Sequence, residues 1–437
     1  MREEHVNMNI VVLGSGGREH AICASLAKSP SCEKLYCIPG NGGTASIAEN
    51  VPGLDICDSE AVVGFSRDRQ IDLVVIGPEA PLVAGIADAV RAAGIAVFGP
   101  DAQGAQLEGS KTYSKKFMEA NGIPTARYAS FDNKDEALDY ARKLGAPLVV
   151  KADGLAAGKG VIVAPDLEDA EEAIESCFEG AFGEAGSQVV VEDCLAGPEC
   201  SLLAFVSAGK AHLMATAQDH KRAYEGDTGP NTGGMGAYSP VPIVTDEEYA
   251  AMAEIMQKAA AATACAPFDA DYRGVLYGGF MLTPDGPQVL EFNARFGDPE
   301  TQVVLPRLEG DLAQIMMSVA QGRPDEVELA WSDKWAVCVV LASQGYPGAY
   351  EKGKVILGID EAEALEGVHV YHAGTAFNSD EELITAGGRV LNVVAMGDSF
   401  EEARELAYEA CDLINFEGKQ LRTDIGARAA RGRSAWD

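Results

Sequence analysis

The segment LEFNARF, residues 290–296, sets an acid, an amide and a guanidinium at alternate positions. In an extended strand that spacing places Glu291, Asn293 and Arg295 on one face and Leu290, Phe292 and Ala294 on the other. A carboxylate and an amide oxygen side by side suit Mg²⁺, which prefers hard oxygen ligands and shares its shell with nucleotide phosphates. Arg295 could then meet an anionic substrate or a developing oxyanion. A solvated sheet face with an incidental ion pair would show the same pattern.

A second stretch, KADGLAAGKGV at 151–161, follows an apolar run (146–150) that has the character of a buried strand. Gly154, Gly158 and Gly160 let the backbone approach a ligand, and their N–H groups can cradle phosphate oxygens, while Lys151 and Lys159 supply charge. A Walker A loop is excluded: Gly154 lies one residue too close to the Gly158-Lys159 pair, and Gly160 replaces the magnesium-binding hydroxyl. The strand-like VIVAP follows directly, so the stretch joins neighbouring strands and is expected to be a mobile flap, with a flexible surface hairpin as the alternative.

These groups need a scaffold. From Asn9, strand-like runs (NIVVLG, KLYCIPG, IDLVVIGPEAP, IAVFGP) alternate with helical segments, which implies a doubly wound parallel sheet with its ligand site beyond the carboxyl ends of the strands. Glycine-rich turns occur at those ends, in GSGGREH (14–20), PGNGG (39–43) and GPEAP (77–81). The first departs from a dinucleotide fingerprint because Glu19 takes the third glycine position, yet a helix starting after Gly16-Gly17 still suits a small phosphate. A lysine-bearing helix (109–122) leads into a small α/β unit that ends near Leu195. The glycine-rich loop 219–240 is too polar for a core element, and its length marks it as functional or disordered. A helix near 246–264, a hairpin carrying LEFNARF, a third strand-rich region from Trp335 and a last helix near 399–414 complete the chain.

At 437 residues the chain has room for roughly three domains of ~150 residues each. No run approaches the ~20 apolar residues of a membrane span, and the first residues lack the pattern of a cleavable signal. Ten scattered cysteines without C-x-x-C pairs fit buried thiols of a cytosolic protein, which places the chain in the cytoplasm. A net charge of −33 argues against broad nucleic-acid or anionic-membrane binding. Any anionic ligand must therefore be held by local clusters of Lys, Arg and backbone N–H.

KADGLAAGKGV, EDCLAGPE, QDHKR, GPNTGGMGAYSP and EFNARFGDPETQ together resemble the phosphoribosylamine–glycine ligases, or glycinamide ribonucleotide synthetases, of the ATP-grasp superfamily. Further matches run from GSGGREH through GPEAPLV and LEGSK to HAGT (372–375) and GGRVL (387–391), so nearly the whole chain is covered. The resemblance implies an α/β fold in three parts. These are an amino-terminal doubly wound parallel sheet of pre-ATP-grasp type (8–108), a central ATP-grasp domain (109–333) with a mobile lid subdomain (about 127–195), and a smaller carboxy-terminal α+β domain (334–430).

By the same resemblance, Lys111 and Lys151 contact ATP phosphates, and the flap with Gly154, Gly158, Lys159 and Gly160 closes over the triphosphate. Glu192 and Leu195 belong to the segment whose backbone reads adenine, Glu199 holds the ribose hydroxyls, and Glu291 and Asn293 bind Mg²⁺, with Mn²⁺ as an alternative. GVLYGGFML offers no further carboxylate to the metal. Arg295, Asp219, Asp298, Pro299, Glu300, Thr301 and Gly236 of the 229–240 loop would surround glycine and the amine, with Arg295, Lys151 and Asp219 in catalytic roles. Gly16, Gly17, Asn41, Gly42 and Glu79 would hold the sugar phosphate. The implied reaction in purine biosynthesis passes through glycyl phosphate and uses only the small molecules glycine and 5-phosphoribosylamine, with a transient contact to the preceding pathway enzyme as a further expectation. Another ATP-grasp ligase or carboxylase, and a catalytically silent nucleotide-binding regulator, are the competing readings.

Overall fold

The computed structural model describes residues 7–155, 160–429 and 432. Its amino-terminal sheet has five parallel strands in the spatial order Glu49–Asn50, Cys32–Pro39, Met8–Gly14, Leu73–Ile76, Ala96–Phe98. Met8–Gly14 is central and its apolar residues are almost all buried, as a strand covered on both faces requires. The winding reverses between it and Leu73–Ile76, so the turns after these two strands face one another. Glu19 fills the notch between them. A Cβ on Gly14 or Gly77 would lie 2.5 or 2.2 Å from its side chain, and its carboxylate accepts the Gly16 N–H at 2.7 Å.

The central domain is built on the antiparallel sheet Lys210–Leu213, Glu199–Ser207, Gly274–Thr283, Gly286–Asn293, whose last two strands form the expected hairpin. The lid is a second antiparallel sheet, in the order Tyr128–Phe131, Val189–Asp193, Leu148–Ala152, Val161–Ala164. Helices Lys134–Leu144 and Leu167–Phe178 pack on it. Both start on an Asn or Asp side chain that accepts a first-turn N–H.

The 219–240 segment departs from expectation. It folds into the short strands Gln218–Asp219, Arg222–Tyr224, Thr228–Asn231 and Gly236–Ser239, the last of which is fully buried. That strand pairs with Trp335–Ser343, which continues to Arg389–Gly397 and Val368–His372, so one sheet crosses the 333/334 boundary. Small side chains make this possible: a Cβ on Gly236 would meet the Cys338 carbonyl at 2.6 Å. The lone large residue, Tyr238, pairs its hydroxyl with Gln218.

The core follows the same division. Ile10 and Val12, Leu203 and Phe205, and Ala336 and Val340 belong to one continuous apolar cluster, so the three sequence segments share an interior. The lid's cluster draws its buried residues from between 137 and 191, with Phe131 packed against it. The lid's apolar interior is therefore separate from that of the body, to which polar contacts of Lys151, Asp153 and Glu192 tie it. The ten cysteines are unpaired; six are buried as expected, whereas Cys57 and Cys265 are exposed and Cys32 and Cys194 half-buried.

Candidate active site

A cavity of about 680 Å³ lies between the hairpin, the lid and the 297–301 loop. Glu291 and Asn293 face it from the end of the strand Gly286–Asn293. Phe292 and Ala294 point into the core as the alternation requires, but Leu290 does not. A bulge lets Gly279 pair with Glu291 and Phe280 with Val289, leaving Leu290 as the extra residue, so it lines the cavity beside Glu291. Arg295 lies beyond the strand's end.

Burial would raise the Glu291 carboxyl, but Lys111, Lys221 and Lys151, with a hydrogen bond from Asn293, hold it down at about 2. A permanently ionised carboxylate beside an amide oxygen fits Mg²⁺, which is satisfied by one or two protein oxygens when phosphates and water complete its shell. Gly279 stands opposite Glu291. Among the described residues no cluster of three or more His, Cys, Asp or Glu side chains could hold a metal alone.

The lysines come from three elements. Lys111 opens the helix Lys111–Ala120, capped by Ser110. Asp153 docks the lid on that helix start: its carboxylate accepts the Thr112 N–H at 2.5 Å and its carbonyl the Lys111 N–H at 2.9 Å. Lys151 leaves the lid strand toward the hairpin and donates to the Leu290 carbonyl at 3.0 Å. Its ammonium also meets Glu192, whose carboxylate is shared with Lys115 from the helix, one turn after Lys111. Lys115 donates to Thr125 at 2.7 Å; burial and Lys151 push it down to about 8 despite Glu192. Glu192 thus works with its side chain as a counter-ion, in addition to lining the cavity with Leu195.

Glu199 accepts a hydrogen bond from Lys221 at 2.8 Å. Asp219 lies close by. Burial lifts its carboxyl to about 8; Lys221 opposes the rise, and Glu300, Glu199 and Glu291 reinforce it.

At the 297–301 end, Arg295 meets Glu108 at 2.7 Å and Glu79 at 3.7 Å. Asp298 meets Arg389 at 3.2 Å and accepts the Arg18 N–H at 3.3 Å. Burial would raise Asp298, yet Arg389 and Arg18 hold it below the ordinary range. Glu300 is buried and accepts the Tyr277 hydroxyl at 2.6 Å.

Lys111, Lys151, Gly154, Gly160, Glu192, Leu195, Glu199, Asp219, Glu79, Glu291, Asn293, Arg295, Asp298 and Glu300 all reach the cavity. Gly158 and Lys159 lie outside the described residues. Gly154 also has a packing reason to be glycine, since a Cβ would meet Ala185 at 2.8 Å.

The remaining sequence-predicted residues do not line this cavity. At the start of the helix Gly17–Leu26, Glu19 accepts the Gly16 N–H and Asp298 the Arg18 N–H, so two of the N–H groups there already have carboxylate partners. Asn41 spends its side chain on the Ser15 and His372 carbonyls and on the N–H groups of Gly43 and Thr44. It builds the turn in which Gly42 fits under Thr375 and Leu383. Gly236 is buried in its strand, Thr301 turns its hydroxyl to the Gly297 carbonyl, and Pro299 packs beneath Gly234. Sequence reasoning passed over Lys115, Glu108, Lys221 and Arg389. For Lys115 a signal existed, its i,i+4 spacing from Lys111; Glu108, Lys221 and Arg389 stand inside the matched segments LEGSK, QDHKR and GGRVL, but their partners emerge only through tertiary contacts.

A cavity of nucleotide size between a metal-competent hairpin and an independently cored lid, with lysines converging from both, defines an ATP-grasp enzyme. Family models of the phosphoribosylglycinamide synthetase N domain, ATP-grasp (A) domain and C domain match residues 8–108, 109–301 and 336–428. The chain is similar to the phosphoribosylamine–glycine ligase of Brucella melitensis, with 48% identity over 98% of this chain and 100% of that protein. It is also similar to the crystal structure of phosphoribosylamine–glycine ligase from Thermotoga maritima, at a TM-score of 0.82 and 35% identity, covering 95% of this chain and 100% of that one. At the level of fold alone it matches the biotin carboxylase domain of Hydrogenobacter thermophilus 2-oxoglutarate carboxylase, solved with MgADP (TM-score 0.71, 15% identity, 99% of each chain). The chain belongs to the phosphoribosylglycinamide synthetase family and is an ATP-grasp ligase. None of its described helices is long and apolar enough to cross a membrane.

Proposed function

We propose that this cavity joins glycine to 5-phosphoribosylamine at the expense of ATP, giving glycinamide ribonucleotide, ADP and phosphate in purine biosynthesis. The supporting observation is the ionised Glu291–Asn293 pair under the positive field of Lys111, Lys151 and Lys221 within one cavity. Glycine's carboxylate is a poor electrophile, so one of its oxygens attacks the γ-phosphorus of ATP and ADP leaves. The amine nitrogen then attacks the acyl carbon of glycyl phosphate, loses a proton, and phosphate departs.

Phosphoryl transfer needs positioning and charge neutralisation rather than an enzyme nucleophile. Lys111 and Lys151 neutralise the triphosphate, and the Leu195 segment with Glu199 takes the nucleoside. Glu291 and Asn293 would hold Mg²⁺, which supplies charge stabilisation at the transferred phosphoryl oxygens; Mn²⁺ meets the same donor set. Asp219, whose carboxyl near 8 leaves only a minor ionised fraction at neutral pH, accepts the proton the amine sheds in that ionised form. Arg295, Glu79, Glu108, Asp298 and Glu300 enclose the small substrates. Closure of the lid over the cavity excludes water from the acyl phosphate.

Unpaired cysteines fit a reducing compartment, and we place the protein in the cytoplasm. Phosphoribosylamine is unstable, which favours a transient contact with the enzyme that makes it. The test is ADP release with Mg²⁺, ATP, glycine and phosphoribosylamine made in place from ribose 5-phosphate and ammonia, omitting each in turn. ADP that requires both glycine and the amine, with glycinamide ribonucleotide identified by mass spectrometry, is the expected result; ATP binding without turnover refutes it.

A further inference from the structure

Three guanidiniums, of Arg18, Arg295 and Arg389, line the 297–301 end of the cavity, and they differ in the donors they have left. Arg18 spends Nε on Glu19 at 2.5 Å and Nη1 on the Phe296 carbonyl at 3.1 Å. Arg295 gives Nη1 to the same carbonyl at 3.1 Å and Nη2 to Glu108 at 2.7 Å, and its Nε is enclosed without an acceptor. Two carboxylates already balance its charge.

Arg389 is arranged otherwise. It arrives on the strand Arg389–Gly397 of the carboxy-terminal domain, and all its hydrogen bonds leave from Nη1: to the Gly233 carbonyl at 2.6 Å and to the Asp298 carbonyl at 3.1 Å, beside an ion pair with the Asp298 carboxylate. Among the described residues Nε and Nη2 find no hydrogen-bond acceptor, neither is enclosed, and a fifth of the side chain stays open. The loop under it is pinned from the other side by Tyr346, whose hydroxyl accepts the Gly233 N–H at 3.0 Å. A rigidly held guanidinium with donors turned to a cavity is a receptor for two oxygens of one anion.

We propose that Arg389 binds an oxyanion of one of the two small substrates, either the carboxylate of glycine or the phosphate of 5-phosphoribosylamine. The carboxy-terminal domain thereby takes part in choosing the substrate. The proposal rests on assigning this end of the cavity to the small substrates.

The test is steady-state kinetics of the full chain and its Arg389→Lys and Arg389→Gln variants, with glycine, the in-place amine and ATP varied separately. Lysine keeps one donor for Gly233 and Asp298 and loses the fork, so it decides the matter if the glutamine variant fails to fold. The KM for one small substrate should rise roughly tenfold or more, the loss of a charge-assisted contact, while that for ATP stays within about twofold. A rise for glycine identifies the carboxylate; a rise for the amine, with weaker competition by inorganic phosphate, identifies the phosphate. Unchanged KM values for both in Arg389→Lys, a fall in kcat alone, or an equal rise for all three substrates would overturn the proposal. Absence of wild-type turnover with glycine and the amine would instead sink the functional reading beneath it.

Discussion

Removing Glu192 and removing Lys115 break the same buried ion triad, yet the two changes should have very unequal consequences. The side chains of Lys115, Lys151 and Glu192 are only 3%, 5% and 2% exposed. Glu192→Gln keeps the shape but leaves two buried ammoniums without a counter-ion, for which about 3–5 kcal/mol is the usual loss. At roughly 2–4 °C per kcal/mol this lowers the melting temperature by on the order of 10 °C. Lys115→Met leaves a neutral Lys151–Glu192 pair. The fold already disfavours the Lys115 charge, since a value of about 8 against an ordinary 10.5 corresponds to roughly 3 kcal/mol. Its loss should therefore change stability by no more than about 1 kcal/mol, offset against the lost Thr125 hydrogen bond. Between about pH 8 and pH 10.4 the unfolded chain holds a proton on Lys115 that the folded chain has shed, so wild-type stability should rise with pH relative to Lys115→Met. Melting of both variants at pH 7 and pH 9.5 checks this; an equal loss at pH 7 refutes it. The methionine variant should pay in function, with a higher KM for ATP, because Glu192 would then hold Lys151 undivided.

Glu291→Ala should fold normally and lose at least ~10²-fold in ligase turnover, the scale of charge stabilisation a catalytic metal supplies; near wild-type turnover would remove the metal assignment. Asp219→Asn should grow more stable relative to wild type as pH rises from about 4 to about 8. The folded carboxyl titrates near 8 and the unfolded one near 3.9, so wild type is stabilised at low pH and loses that contribution through this window. Urea midpoints across the range test it, and a constant difference would show that Asp219 is not held protonated.

Local patterns carried the reading furthest where one segment makes its own structure. The helices near 135–144, 167–177 and 399–414 are found within a residue or so, because capping side chains and apolar spacing act within a turn. The hairpin bearing Glu291 and Asn293 was legible for the same reason. Leu290 was misplaced because a bulge is set by the partner strand rather than by the strand itself. Gly236–Ser239 was taken for loop because its burial comes from a strand about a hundred residues later, and glycine and serine carry little apolar signal. The turn residues Gly16 and Asn41 announced backbone requirements truthfully, and in this structure their partners, Glu19 and His372, are a side chain and a carbonyl of the protein itself.

The lid enters and leaves the body at a single point. The Asp193 N–H donates to the Arg127 carbonyl at 3.0 Å, and the Arg127 guanidinium returns to the Asp193 carboxylate at 3.2 and 3.1 Å. A segment with adjacent ends and a private interior is, in the language of heredity, a cassette: its outer helices can lengthen, shorten or be exchanged, provided Lys151, Asp153 and Glu192 keep its inner edge matched to the body. The sheet joining Gly236–Ser239 to Trp335–Ser343 has the opposite character, since neither half can be inherited alone. Variation in this protein should therefore gather in the lid's outward helices, while the carboxy-terminal domain stays tied to the fate of the catalytic body.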